Sequence, residues 1–312
     1  MMDLVQKYLE LNDSYKPVFT YKWASAGFYS EFNNMILAML WCLTHKVKFQ
    51  VYCKDYEALN GDGYTHIFNP IPETKNAFHH YFNTRSVFCP SETNVKDKLV
   101  VLGALIYKIF TGRGLSCDSF YEARTYWFRK KHFTVPELGI DGDIQHATRI
   151  LISIAYRFNE EYEKKIQEMI TPLQLPDKYI GIHVRGGDKV IERRLSSIKE
   201  YMDAASKLSV IKDVFIMSDD YTLYEDLVSS YPDYRFYTLT FPYERGFDLR
   251  RTHAMPKEQR DREQVKVFAS LRVMSQAEHF IGTVSSNPGM FLGMVMDPRK
   301  VHYIDSNEWI IL

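Results

Sequence analysis

Residues Lys178–Glu192 read KYIGIHVRGGDKVIE. The apolar run Tyr179, Ile180, Ile182, Val184, rich in β-branched residues, predicts a buried strand. It empties abruptly into Arg185, Gly186, Gly187, Asp188 and Lys189. In open α/β sheets, ligands sit beyond the carboxyl ends of the strands. Arg185 is therefore expected at a binding edge, where its planar and permanently charged fork suits an anionic ligand.

Working outward from this stretch, the second half alternates regularly. After the strand Tyr179–Val184 the pattern predicts a helix over 197–208, a strand over 213–217, a helix over 221–230 and a strand over 234–239. A charged loop over 243–257, including Arg250 and Arg251, leads to a helix over 258–276. A strand over 279–284, a helix over 288–296 and a strand over 301–304 follow. Strands alternating with helices predict a doubly wound α/β domain.

The first half opens in the same way. A short helix over 1–15 precedes a strand over 18–23, a turn over 24–31 containing Gly27, an apolar helix over 32–44 and the alternating strand 46–52. This is a βαβ unit, which implies a parallel sheet covered by helices. Residues 55–140 are less periodic, with helices expected around 96–110 and 117–131, then over 141–158 and 159–170. Thr171-Pro172 and Leu175-Pro176 break the pattern, so the boundary is expected between residues 176 and 177. The expected architecture is thus two Rossmann-like doubly wound domains, 1–176 and 177–312, facing a cleft.

Composition narrows the function classes. Lys plus Arg and Asp plus Glu each number 39 among 312 residues. That balance disfavours a general polyanion binder, nucleic acid included, while leaving room for a local basic pocket. The cysteines Cys42, Cys53, Cys89 and Cys117 show no zinc-type spacing and suit reduced thiols in a cytosolic protein, with one disulfide among them as the alternative. The charged N-terminus lacks the apolar core of a signal peptide, and the longest apolar run, Met35–Leu43, is short of a membrane span. A cytoplasmic location is the expectation.

Chemistry-bearing residues cluster at strand ends. In Ser285-Ser286-Asn287-Pro288, hydroxyls and free backbone N–H groups at a helix start suit a phosphate, although simple capping gives the same pattern. Asp219-Asp220 ends another strand. Asp219 suits a helix cap, and the pair also suits contact with sugar or ribose hydroxyls, whereas a metal site needs more ligands than the sequence supplies. His183 reads as a satisfied core residue or a ligand contact. Glu192, close to Arg185 and Lys189, is expected to stay ionised, as a general base for a sugar hydroxyl requires.

These residues resemble motifs of the α1,6-fucosyltransferase family, which includes the animal core and rhizobial nodulation enzymes. His183–Val190, HVRGGDKV, is similar to the family's HVRRTDKV, and Met274–Ser286, MSQAEHFIGTVSS, to its LSQADFxxxTFSS. Gly27–Asn34, GFYSEFNN, more distantly resembles the segment before its first apolar helix. The resemblance implies a GT-B fold, a GDP-fucose donor, a glycan acceptor, inversion at the anomeric carbon and no cofactor or metal. It implies donor contacts from His183, Arg185, Asp188, Asp219, Asp220, Thr283, Ser285, Ser286 and Gly27, and a catalytic group of Glu192, Lys189 and Arg185. Gly186 stands where the family has a second arginine, and Ser270 where it has a guanine-contacting aspartate. Another nucleotide-sugar donor, or non-catalytic binding on the same fold, remains the alternative. No segment here resembles the animal enzyme's SH3-like domain, so the acceptor is expected to be read differently.

Overall fold

The computed structural model describes residues 3–16, 18–23, 26–54, 56, 59, 63–74, 102, 122–123, 125–184, 198–246 and 255–311. It divides into two compact units, Met1–Asn159 and Glu160–Leu312.

In the first unit, α1 (Leu4–Ser14) precedes β1 (Val18–Lys22), α2 (Phe28–His45) and β2 (Lys48–Tyr52). β1 and β2 pair in parallel, as a right-handed βαβ crossover requires, and Val51 adds a parallel bridge to Glu73. α2 is buried on nearly every side, which is why its sequence is apolar all round. α1 is fastened by Asn12, whose side chain donates to the Phe49 carbonyl at 3.0 Å and accepts from the Phe49 N–H at 2.7 Å. One amide thus supplies both pairings that a neighbouring strand would give. Cys42 and Cys53 are buried free thiols.

The segment before the next long helix departs from expectation. Among the described residues of the helix expected over 117–131, Glu122 and Ala123 are helical, Thr125 is a bend, and a single turn, α3 (Tyr126–Arg129), follows. β3 (Phe133–Val135) and β4 (Ile140–Gly142) then make an antiparallel hairpin. α4 (Ile144–Ala155) starts behind Asp143, whose carboxylate accepts from the His146 N–H at 2.8 Å. The helix expected around 96–110 lies outside the described residues apart from Leu102.

The second unit begins with α5 (Glu160–Ile170), ahead of the anticipated boundary at 176/177. It docks on a helix of the same unit, α8 (Lys257–Gln276). There Arg272 bonds both oxygens of Glu163, at 2.7 and 2.9 Å, and Lys165 reaches Asp261 at 3.0 Å. Between these helices run β5 (Ile180–His183), α6 (Ile198–Leu208), β6 (Asp213–Met217), α7 (Tyr221–Ser230) and β7 (Arg235–Thr238). After α8 come β8 (His279–Gly282), α9 (Asn287–Val295) and β9 (Val301–Tyr303).

These strands form one parallel sheet, ordered β7-β6-β5-β8-β9. The chain moves outward one way from β5 to β7, then returns and moves the other way through β8 and β9. With right-handed crossovers, helices cover both faces and a topological switch point lies between β5 and β8. Ile180, Ile182, Val214, Ile216 and Ile281 pack with Tyr201, Met202 and Ala205 of α6 to form the core of one face. An α/β fold built on a parallel sheet is therefore present, with the switch point at the strand singled out by the sequence.

Candidate nucleotide-sugar site at the sheet's switch point

Two strand-to-helix turns and the end of β5 meet at the carboxyl edge of this sheet. His183 is the last residue of β5, in register with Met217 of β6, and is buried. β8 ends at Gly282, and Thr283–Ser286 turns into α9. Ser286 is the N-cap. Its Oγ accepts from the Gly289 N–H at 3.1 Å, donates to the Thr283 carbonyl at 2.9 Å and lies 3.5 Å from His183 Nδ1. With the hydroxyl proton committed to Thr283, only a proton on Nδ1 makes the last contact a bond. A ligand oxygen can take that hydroxyl proton if the side chain turns it away from Thr283.

The turn is tight because Gly289 comes close to its backbone. A Cβ at Gly289 would stand 1.9 Å from the Thr283 carbonyl oxygen. The free amides expected at this helix start are not all free. The N–H groups of Val284 and Ser285 both donate to the Asp305 carboxylate, at 2.8 and 3.1 Å. Asp305, just past β9, is a group that sequence reasoning missed. Its position beyond a strand's carboxyl end was the one available signal.

The second turn follows β6. Here Asp220 caps α7, accepting from the N–H and hydroxyl of Thr222 at 2.9 and 2.8 Å. The cap expected at Asp219 thus belongs to its neighbour, and the Asp220 carboxylate already serves this helix. The Asp219 carbonyl accepts from the Gly246 N–H at 2.8 Å, and Tyr221 N–H donates to the Glu244 carbonyl at 3.1 Å. The segment that makes these contacts, Phe241–Gly246, is anchored by a buried cation. Lys266 of α8 pairs with Glu244 and, at 2.7 Å, with Glu263. Burial, outweighing the nearby lysine, pushes the Glu244 carboxyl above its ordinary value.

The structure therefore gathers His183, Thr283, Ser285 and Ser286 around the switch point, with Asp219 and Asp220 in the turn after the adjoining strand. Ser270 is buried in α8. Gly27 belongs to the other unit, where it precedes α2 and its carbonyl accepts from Ser30 and Glu31. Arg185, Gly186, Asp188, Lys189 and Glu192 lie outside the described residues, as do Cys89, Cys117, Arg250 and Arg251. Among the described residues, no three His, Cys, Asp or Glu side chains gather as a metal site, and no helix is long and apolar enough to cross a membrane.

Residues 146–288 match the family model described as alpha-(1,6)-fucosyltransferase N- and catalytic domains. An α-(1,6)-fucosyltransferase of Caenorhabditis elegans is 25% identical over 148 residues, which cover 43% of this chain and 25% of that protein. The chain therefore spans about a quarter of that relative's length. Among solved structures, the α-1,6-fucosyltransferase NodZ soaked with GDP-fucose is similar at a TM-score of 0.53 and 13% identity, covering 90% of this chain and 93% of that one. Fucosyltransferase NodZ from Bradyrhizobium gives 0.53 at 11% identity, covering 90% and 94%. At such identities the likeness concerns the fold. The segment that matches the family model carries β5, both strand-end turns and the cap of α9.

Proposed function

We propose that this chain transfers fucose from GDP-fucose to a glycan hydroxyl, with inversion and without a metal ion, on a GT-B fold. In this reading the second unit binds the donor and the first unit forms the Rossmann-like acceptor side. The observation that carries it is the convergence of His183 and the Ser286 cap at the switch point, within the segment that the family model matches. The related NodZ structures were obtained with GDP-fucose and with GDP.

The chemistry follows from the residue types. Glu192 takes the proton of the acceptor hydroxyl, and Lys189 keeps that carboxylate ionised. The acceptor oxygen attacks the anomeric carbon from the face opposite the nucleotide. The bond to the β-phosphate oxygen breaks, and GDP leaves with the electron pair. Arg185 meets the charge that develops on the diphosphate, and the Thr283–Ser286 turn contacts it from the helix start. His183 lies beside the nucleoside, Asp188 and Asp219 meet hydroxyls, Asp220 holds the turn that presents Asp219, and the family resemblance adds Gly27 as a donor contact. A single displacement converts the β-linked donor into an α-fucoside.

Thermal shift with GDP, UDP and GDP-fucose, with and without EDTA, tests the donor. GDP and GDP-fucose should stabilise the chain in EDTA, because a ligand that binds only the native state raises its stability. Stabilisation by UDP alone, or only with Mn²⁺, overturns the assignment. Glu192→Gln should keep GDP binding and lose turnover, whereas a non-catalytic binder would show no turnover in either form.

A further inference from the structure

The segment after β9 reaches back to the start of α9 at several points. Asp305 accepts two amides of the Thr283–Ser286 turn. The Tyr303 hydroxyl donates to the Gly289 carbonyl at 3.0 Å, and Trp309 Nε1 donates to the Met290 carbonyl at 2.9 Å. Ile311 is buried at the far end of the segment. Gly293 makes the close approach possible: a Cβ there would stand 2.1 Å from Trp309 Cδ1 and 2.2 Å from the Tyr303 hydroxyl. A carboxylate that accepts two adjacent amides is a charge-assisted, bidentate clamp, stronger and more directional than a neutral bond. It also fills the anion-binding capacity that those amides would offer a ligand.

We infer that Asp305 is a positioning residue of the donor site: by occupying the Val284 and Ser285 amides it fixes the turn so that the Ser286 hydroxyl, beside His183, is the group presented to the donor's phosphate. Tyr303 and Trp309 hold the first turn of α9 in the same place. The inference rests on the reading that this turn contacts a diphosphate. Asp305 does not touch the donor; it acts through the geometry of Ser286. A turn freed from the carboxylate samples other orientations, and a displacement of about 1 Å in a binding group carries a large cost.

The test uses the full chain and titrates GDP calorimetrically into the wild type, Asp305→Ala, Asp305→Asn and Ser286→Ala, with the ligand-free melting temperature of each recorded. Asp305→Ala should weaken GDP binding roughly tenfold to a hundredfold. Asp305→Asn should fall between it and the wild type, because one acceptor oxygen remains. Added formate should restore GDP affinity to Asp305→Ala by accepting the same two amides, a recovery that a general loss of stability would not give. Unchanged or tighter GDP binding by a folded Asp305→Ala overturns the inference; tighter binding would mean that Asp305 competes with the phosphate. If the alanine variant does not fold, wild-type affinity in Asp305→Asn overturns it equally. Unchanged affinity in Ser286→Ala overturns the donor-site reading itself. Weakened binding in Ser286→Ala beside normal binding in Asp305→Ala overturns the positioning role alone.

Discussion

The turns after β6 and β8 flank the end of β5, and each is braced by the chain just beyond the next strand outward. For the turn after β6 the brace is backbone: the Gly246 N–H and the Glu244 carbonyl, from beyond β7, bond Asp219 and Tyr221. For the turn after β8 the brace is a side chain, the Asp305 carboxylate from beyond β9. A side-chain brace is lost with one substitution. A backbone brace survives any substitution of the bonding residue that keeps its conformation, but it depends on whatever holds that backbone. Here the holding group is Lys266, through Glu244 and Glu263.

That difference is most easily broken at Lys266. Lys266→Met leaves two shielded carboxylates without their cation, and breaking such a pair costs on the order of 3 kcal/mol. Urea unfolding should register this loss, and amide exchange should quicken at Gly246 and Tyr221 while the turn after β8 keeps its protection. Equal loosening of both turns would mean that they are not braced separately. Gly289→Ala attacks the other side. Its Cβ meets a backbone carbonyl that no rotamer change can move aside. Overpacking of this kind costs about 2 kcal/mol, read in the same unfolding experiment, and it should also weaken GDP binding, because the Ser286 cap must shift.

The parts legible in the sequence were those whose cause is local. The second unit's strands and helices follow from alternation of period 2 and period 3.6, and both turns follow from polar residues at strand ends. The hairpin of Phe133–Val135 and Ile140–Gly142 was not legible, because three-residue strands are too short to establish a period between helical runs. The start of the second unit was hidden as well. Pro172 does end a helix, but that helix belongs with α8 through Glu163, Lys165, Arg272 and Asp261, which are distant in sequence. Which aspartate caps α7 was also beyond spacing alone. Asp220 N–H donates to the Ser218 hydroxyl at 3.1 Å, a bond that fixes Asp220 rather than Asp219 over the helix start. Asp305 reaches amides 20 and 21 positions earlier, so nothing in their neighbourhood announces it.

The local cap separates from the brace after β6 through Asp220→Ala. Loss of an N-cap side chain costs about 1 kcal/mol. It should fray the first turn of α7 and leave the Gly246 contact protected, which amide exchange reads residue by residue. Asp220→Asn should recover most of the loss, because its side-chain oxygen still accepts from Thr222. A larger loss than that of Lys266→Met would reverse the order and make the cap, not the loop, the principal support.

The smallest effect lies in how stability varies with pH at Glu244. Its carboxyl is raised above the ordinary value of 4.5, with burial the largest cause and the Lys266 pair acting against it. A carboxyl raised in the folded state holds its proton there after the unfolded chain has released it. Its contribution is therefore fully present below pH 4.5 and is lost as the pH rises through the folded value. Glu244→Gln removes this dependence. The stability of the wild type relative to Glu244→Gln should accordingly be greatest at low pH and decline as the pH rises above 4.5, measured by urea unfolding across the acid range. A difference that instead grows with pH would mean that attraction to Lys266 outweighs burial, so that Glu244 strengthens the backbone brace by being ionised. The brace beyond β7 would then be electrostatic in the same sense as the Asp305 clamp, and the contrast between the two turns would reduce to whether the charge acts on the turn or one loop away from it.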